Sequence, residues 1–438
     1  MNMGLQAPGA LTKTILSGNC IAFVGAGFSA AGELPGWGSL LKGILHEVPD
    51  DQLSAEYIRG RIGLGTAHAL DEAAQALEDG MGRTQFNAAL KRYLNVNEIN
   101  PQMQRRLELL KGIPFRTILT TNFDTFLPGA VPSRSAYRKA LRSEPYHAWS
   151  RLYRSAGEGA FTVKLHGDLS DSSGEDSVVI TRRDYRRHLY ADAAYGTFLR
   201  GILATSTVLY MGFSFEDAYL NELRSEILSL VGHNAGDEVT SYAIMNDVPE
   251  QAVSHFRRHE GIEILTYDTN GGLDFTGFDA WLEAVHKETN AVVRFGRYLK
   301  ERRILWLDPN PSNNTEVFAF LKQAAESSGE PDYVVDTVPD IEAALVKLQK
   351  VELREKHHLL ITHWGAYRSG ETAPVAIEIL KALRKQDIRV PAVVFASNRD
   401  AEERKSEALS LGAADYCFTF GALFSRIDSI FAPAAVTG

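Results

Sequence analysis

The stretch Asn19-Cys-Ile-Ala-Phe-Val-Gly-Ala-Gly-Phe-Ser29 decides the reading of the fold. Residues 21–24 form an uninterrupted apolar run, the pattern of a strand buried on both faces of a parallel sheet. The run stops at Gly25-Ala26-Gly27, and the hydroxyl of Ser29 follows two residues later. Glycines at the end of a buried strand permit a sharp turn, so that N–H groups and a helix N-terminus can face an anion. The spacing Gly25-x-Gly27-x-x-Ala30 also satisfies the relaxed dinucleotide fingerprint.

Two later segments repeat the design. Ile118-Leu-Thr-Thr-Asn-Phe-Asp124 and Phe161-Thr-Val-Lys-Leu-His-Gly167 are apolar runs that end in polar residues. With the first they spell GAGxS, TTNxD and KLHG. In that order, at strand ends, they resemble the sirtuin superfamily, whose members read GAGxS, TQNxD and xxHG. Two fainter matches follow: Met211-Gly-Phe-Ser-Phe215 stands where that family has Gly-Thr-Ser, and Ala243-Ile-Met-Asn246 where it has Ile-Asn. The resemblance covers roughly residues 10–290.

Composition bounds the remainder. A chain of 438 residues exceeds one ordinary core, so two domains are expected. Hydrophobic content of 45% with 23% charged residues is that of a folded globular protein. A net charge of −9 argues against general affinity for nucleic acid or anionic membranes. The run Arg182-Arg-Asp-Tyr-Arg-Arg187 reads as a solvated helix face rather than a nucleic-acid patch. No apolar run approaches the roughly 20 residues of a membrane span. No signal peptide is visible, so the expected compartment is the cytosol.

Only Cys20 and Cys417 are present. Protein-deacylating sirtuins hold a structural zinc with four cysteines in paired CxxC spacing, and a tetrahedral thiolate site needs all its ligands. No zinc is therefore expected, and Cys20 reads as buried and inert. In place of a zinc module, residues 51–110 carry apolar positions at three- and four-residue spacing. They predict a helical insertion, about 51–112, that caps one side of the site. Elsewhere strand-like and helix-like segments alternate, including a strand at 207–211, a helix at 218–230 and last strands at 242–245 and 262–267. That alternation predicts a parallel sheet with ligands at the carboxyl ends of its strands.

The expected fold class is α/β: a sirtuin-like Rossmann-type sheet over residues 1–290, a linker helix at 291–303, and a smaller flavodoxin-like domain over 304–438. Its strands are expected at 304–308, 333–335, 358–362, 392–396 and 415–419, with helices between them at 374–385 and 401–411. Ser410-Leu-Gly-Ala-Ala-Asp-Tyr416 resembles the closing segment of a response-regulator receiver domain. The catalytic positions of a receiver are degenerate here. Pro309 follows Asp308 where a second acid is needed, Thr362 or His363 replaces the phosphoacceptor, and no Lys follows the fifth strand, although Ser397 fits the switch hydroxyl. Without a carboxylate cluster to hold magnesium, a pseudo-receiver serving assembly or sensing is expected. A Toll/interleukin-receptor-like domain is the alternative.

The sirtuin resemblance implies specific roles. It places His166, Asn122 and Asp124 in catalysis, with His166 as general base toward the ribose hydroxyls, a task suited to imidazole. It places Asn122 and Asp124 near the nicotinamide ribose, Gly25, Ala26, Gly27 and Ser29 at the pyrophosphate, Thr121 among the cofactor-binding residues, and Gly212, Ser214 and Asn246 at the adenosine half. NAD is then substrate, water replaces the acyl-lysine acceptor, and the products are nicotinamide and ADP-ribose. The chain resembles the zinc-less sirtuin-like NAD hydrolases of bacterial antiviral defence, which implies a latent activity, a homo-oligomer, and activation by a signal molecule or by a phage or partner protein. Each residue also has a plainer reading. His166 fits a buried, backbone-satisfied histidine, and Asn122, Asp124 and Ser29 fit helix caps. Glu216 and Asp217 fit a helix N-terminus. Trp37 fits either core packing or the aromatic on a sirtuin cofactor loop. A Rossmann dehydrogenase, a protein deacylase or ADP-ribosyltransferase, and a non-catalytic nucleotide sensor remain as other classes.

Overall fold

The computed structural model describes residues 8–48, 55–95, 98–128, 161–169, 178–186, 193–215, 218–230, 239–269, 274–327, 335–350, 356–365, 374–396 and 401–431. Two compact units divide the chain at residues 289 and 290.

The first unit is built on six parallel strands: β1 (Cys20–Val24), β2 (Thr117–Thr120), β3 (Phe161–Lys164), β4 (Thr207–Met211), β5 (Ser241–Asn246) and β6 (Ile262–Tyr267). Their order is β3-β2-β1-β4-β5-β6, the doubly wound order with its switch point between β1 and β4. Strand residues alternate between the two faces, as the pleat requires. Ile21 and Phe23 join a core with Val208, Tyr210 and residues of the helix Ala193–Thr205. Cys20, Ala22 and Val24 join the opposite core, with the helices Gly9–Leu16, Pro101–Gly112 and Thr276–Thr289.

Register fixes where the strands stop. Val24 lies beside Thr120 on one side and Met211 on the other, and Thr120 lies beside Lys164. Gly25, Thr121, Gly212 and Leu165 therefore leave the sheet at one level.

A third core lies outside the sheet. The helices Trp37–His46, Ala55–Leu64, Ala67–Met81 and Arg83–Leu94 bury Leu41, Ile58, Leu77 and Phe86 together with Leu169, Val178 and Ile180. Leu70, Ala73, Ala74 and Leu77 sit at one-turn spacing on the buried face of the longest of these helices, Ala67–Met81, behind an N-cap in which Thr66 accepts from the Ala69 N–H. The cap thus starts at Trp37, earlier than the spacing suggests. Pro101–Gly112, read as its last helix, instead packs Met103, Leu107 and Leu110 into the sheet core.

The second unit has five parallel strands, β7 (Arg303–Leu307), β8 (Val335–Val338), β9 (His357–Thr362), β10 (Ala392–Phe395) and β11 (Asp415–Cys417). Their order, β11-β10-β9-β7-β8, is the flavodoxin-like one expected from the sequence. β8 begins where the apolar run was read to end; Tyr333 and Val334 lie outside the described residues, as do Glu216, Asp217 and Ser397. The helix Ala291–Glu301, read from its polarity as a linker, buries Phe295 and Leu299 among Ile304, Trp306 and Leu321 of this unit. No helix among the described residues is long and apolar enough to cross a membrane.

Candidate active site

The carboxyl ends of all six strands of the first sheet open into one cavity of ≈ 1370 Å³. Its wall includes every candidate site residue read from the sequence: Gly25, Ala26, Gly27, Ser29, Thr121, Asn122, Asp124, His166, Gly212, Ser214 and Asn246. Segments more than two hundred residues apart in the chain, such as Gly25 and Asn246, meet because the strands end on the same side of the sheet.

The glycines act differently from the sequence expectation. The Gly25 N–H donates to Met211 O at 2.9 Å and the Gly27 N–H to Gly212 O at 2.9 Å, so neither is left to face an anion. What the glycines supply is close approach. A Cβ on Gly25 would lie 2.5 Å from Gly212 O, and one on Gly212, whose φ is +63°, would lie 2.0 Å from the Phe28 nitrogen. The turn after β1 and the turn after β4 interlock backbone against backbone, which tolerates no side chain. From behind, the buried Arg106 donates to Phe28 O at 2.6 Å and pairs with Asp279 at 2.7 Å.

The turn after β2 is fixed to the turn after β1. The Thr120 hydroxyl donates to Val24 O at 2.8 Å and accepts from the Asn122 N–H at 3.1 Å. The Asn122 amide donates to Gly25 O and to the Ser29 hydroxyl, each at 3.1 Å. A carbonyl can only accept, so this contact orients the amide. Its Oδ1 is buried and has no donor among the described residues, on a side chain that lines the cavity. Asp124, 4% exposed, accepts from the Phe126 N–H at 3.1 Å. Burial pushes its carboxyl above the usual range, against the opposing pull of hydrogen bonds from Ser29, Phe126 and Asn122 and of the Lys164 charge. Asp124 is thus bonded within its own turn, whereas Asn122 bonds across to the turn after β1, and both face the cavity.

His166, two residues beyond β3, is 4% exposed. Its ring meets the Tyr185 ring edge-on at 5.4 Å, and its carbonyl accepts from the Val179 N–H at 2.9 Å. Both contacts come from residues 178–186, a strap that is tied in turn to the cap. Arg83 donates to Asp184 at 2.8 Å, to Val178 O at 2.6 Å and to Glu78 at 3.3 Å. Asp184 closes the strap by accepting from the Ile180 and Thr181 N–H groups, each at 3.0 Å.

Several wall residues were not legible as such. Arg182 and Arg186, read as a solvated face, line the cavity, and Arg182 meets His68 of the cap. Tyr185, Asp71, Tyr267 and Thr269 also line it. A local charge run and isolated polar residues give no signal of a wall that forms only when the cap docks. Trp37 begins the helix Trp37–His46, packs beside the cap core and lines the cavity. At the far end Asn246 donates to Asp247 at 3.0 Å, and hydrogen bonds from Thr269 and Asn246 hold that carboxyl down at about 2. Both cysteines are buried; burial pushes the Cys20 thiol far up and Cys417 up to about 11. Among the described residues no cluster of His, Cys, Asp and Glu is placed to hold a metal.

Residues 116–265 match the family described as SIR2-like domain. The NAD(+) hydrolase ThsA of Enterococcus faecium is 28% identical over 247 residues, covering 54% of this chain and 45% of that protein. ThsA of Cytobacillus dafuensis is 25% identical over 258 residues, 59% of this chain and 47% of its own. Defense-associated sirtuin 2 of Bacillus subtilis is 23% identical over 226 residues, 50% of this chain and 20% of its own. The chain thus spans less than half the length of these relatives. Among solved structures, the Francisella response regulator 1452 receiver domain is similar over 30% of this chain and 96% of its own, at 25% identity and a TM-score of 0.22. The match to the SIR2-like family falls within the first unit and takes in the TTNxD and KLHG strand ends.

Proposed function

We propose that the chain is an NAD hydrolase that breaks the nicotinamide–ribose bond and releases nicotinamide and ADP-ribose. The observation that carries this reading is the convergence of GAGxS, TTNxD, KLHG and the two fainter segments on one cavity at the sheet's switch point. Relatives named NAD(+) hydrolase support it.

In this reading the turn from Gly25 to Ser29 borders the pyrophosphate, and Gly212, Ser214 and Asn246 border the adenosine half. The C–N bond breaks with its electron pair leaving on nicotinamide, and the ribose passes through an oxocarbenium-like state. Little covalent chemistry is asked of the protein; it positions the ribose and admits water. The open Oδ1 of Asn122 accepts from that water or from a ribose hydroxyl, Asp124 borders the same ribose, and His166 is the general base. Water attacks the anomeric carbon and loses its proton, which completes hydrolysis.

The wider assignment is of the same kind. The chain acts in the cytosol as a latent NAD-depleting effector in antiphage defence, without zinc and without binding nucleic acid. Its second unit assembles homo-oligomers or senses the activating molecule or protein. The test is to incubate the full chain with NAD, with and without an acylated peptide, and to quantify nicotinamide and ADP-ribose. Equal amounts of both products without peptide are expected. Strict dependence on the peptide would transfer the site to the deacylase reading, and neither binding nor cleavage under any assembly state would end both.

A further inference from the structure

Lys164 ends β3 with its side chain 1% exposed. A buried ammonium is costly unless each donor finds a partner, and an apolar residue of similar volume often serves a core equally well or better. The fold therefore does not by itself require a lysine here. Its partners are specific. Nζ donates to Asp124 O at 2.8 Å, reaches Phe123 O at 3.5 Å, and pairs with Asp168 Oδ2 at 3.2 Å. The first two acceptors lie in the turn that carries Asn122 and Asp124, and the third lies two residues past His166.

We propose that Lys164 is a positioning residue for NAD cleavage, locking the Asn122–Asp124 turn to the His166 turn. It rests on the reading of the site given above. The sheet aligns the two turns only as far as Thr120 and Lys164, whose register is the last of the β2–β3 ladder, with the Leu165 N–H donating to Thr120 O at 2.8 Å. Beyond that point no strand pairing among the described residues holds one turn against the other, and the three-way contact of the ammonium takes over. It bonds main-chain carbonyls on one side and a carboxylate on the other, so movement of either turn breaks a charge-assisted bond. Asn122 and His166 then keep a fixed separation across the cavity, which a reaction governed by positioning needs.

The experiment is steady-state NAD cleavage by full-length Lys164→Met and Asp168→Asn, with kcat expressed per NAD-binding site counted by calorimetry. Lys164→Met, which keeps length and loses the donors, is expected to lower kcat per site by about 10–10²-fold. KM should move by less than about threefold, the signature of a contact that matters to the transition state more than to binding. Asp168→Asn, which keeps an acceptor and removes the charge, should lower kcat by a smaller factor in the same pattern. A merely structural lysine would reduce the number of sites and leave kcat per site unchanged, and that result overturns the proposal. Where Lys164→Met does not fold, Asp168→Asn decides: wild-type kcat per site overturns, and lowered kcat with unchanged KM supports. A wild-type chain that cleaves NAD alongside equally active variants ends this inference alone. A wild-type chain that releases no nicotinamide ends the reading of the site and takes this inference with it.

Discussion

The two sheets of this chain are both parallel and both doubly wound, yet the polar groups described at their strand ends are used differently. At the ends of β1, β2 and β4 stand interlocked glycines, an oriented asparagine and an aspartate whose carboxyl is pushed up by burial, all around one large cavity. At the ends of β7 and β9 the equivalent polar groups are consumed locally. Asp308 accepts from the Asn310 N–H at 2.8 Å and from the Asn314 amide at 3.0 Å, and His363 Nδ1 meets Leu307 O at 3.2 Å. Trp364 is buried there under Arg404. A switch point offers a place for a ligand, and the residues at the strand ends determine whether chemistry can follow.

The sharpest way to break the contrast is to spoil the glycine interlock. Gly212→Ala places a Cβ against the Phe28 nitrogen at a positive φ. A destabilisation of at least about 2 kcal/mol is expected, with loss of NAD binding. Denaturant unfolding and calorimetry check it, and wild-type stability would mean that the two turns are not in contact. Next comes Asn122→Ala, which removes the oriented amide. Turnover should fall at least roughly 10²-fold with the fold kept, as measured by nicotinamide release and circular dichroism.

Arg83→Ala tests whether the cap matters to the first site. It removes the contacts to Asp184, Val178 O and Glu78 that hold the strap against His166. About a tenfold fall in kcat is expected, and undiminished turnover would show that the strap stands without the cap. The smallest effect concerns Asp124. Burial raises its carboxyl in the folded chain, so the stability it contributes is complete below the ordinary carboxyl pKa and is lost as pH rises through the raised value. Asparagine does not ionise. The melting temperature of Asp124→Asn should therefore gain on that of the wild type as pH rises from about 4 to about 7. A flat or falling difference would show that the hydrogen bonds and the Lys164 charge outweigh burial.

Much of this was legible because strand and turn signals are local. Continuous apolar runs ended in GAG, TTNxD and KLHG, and each of those ends faces the cavity. The reason for the glycines was not legible, since Gly25 and Gly212 meet only across the β1–β4 ladder. Nor was the role of Arg106, which reaches the back of the turn at Phe28 from a helix read as part of the cap. The cap's true extent was hidden because Trp37–His46 and Pro101–Gly112 each bury an apolar face, and periodicity shows that a face is buried without showing against what. Arg182 and Arg186 carried the signature of solvent, and only the docking of the strap brings them to the wall.

Each sheet carries a histidine just past its third strand in chain order, His166 after β3 and His363 after β9. Nicotinamide release from NAD by the full-length wild type, His166→Ala and His363→Ala, measured side by side, tests the central claim most directly. The account predicts a loss of at least roughly 10²-fold for His166→Ala and wild-type cleavage per NAD-binding site for His363→Ala. Near wild-type turnover in His166→Ala, or an equal loss in His363→Ala, would contradict the assignment of the chemistry to the first sheet.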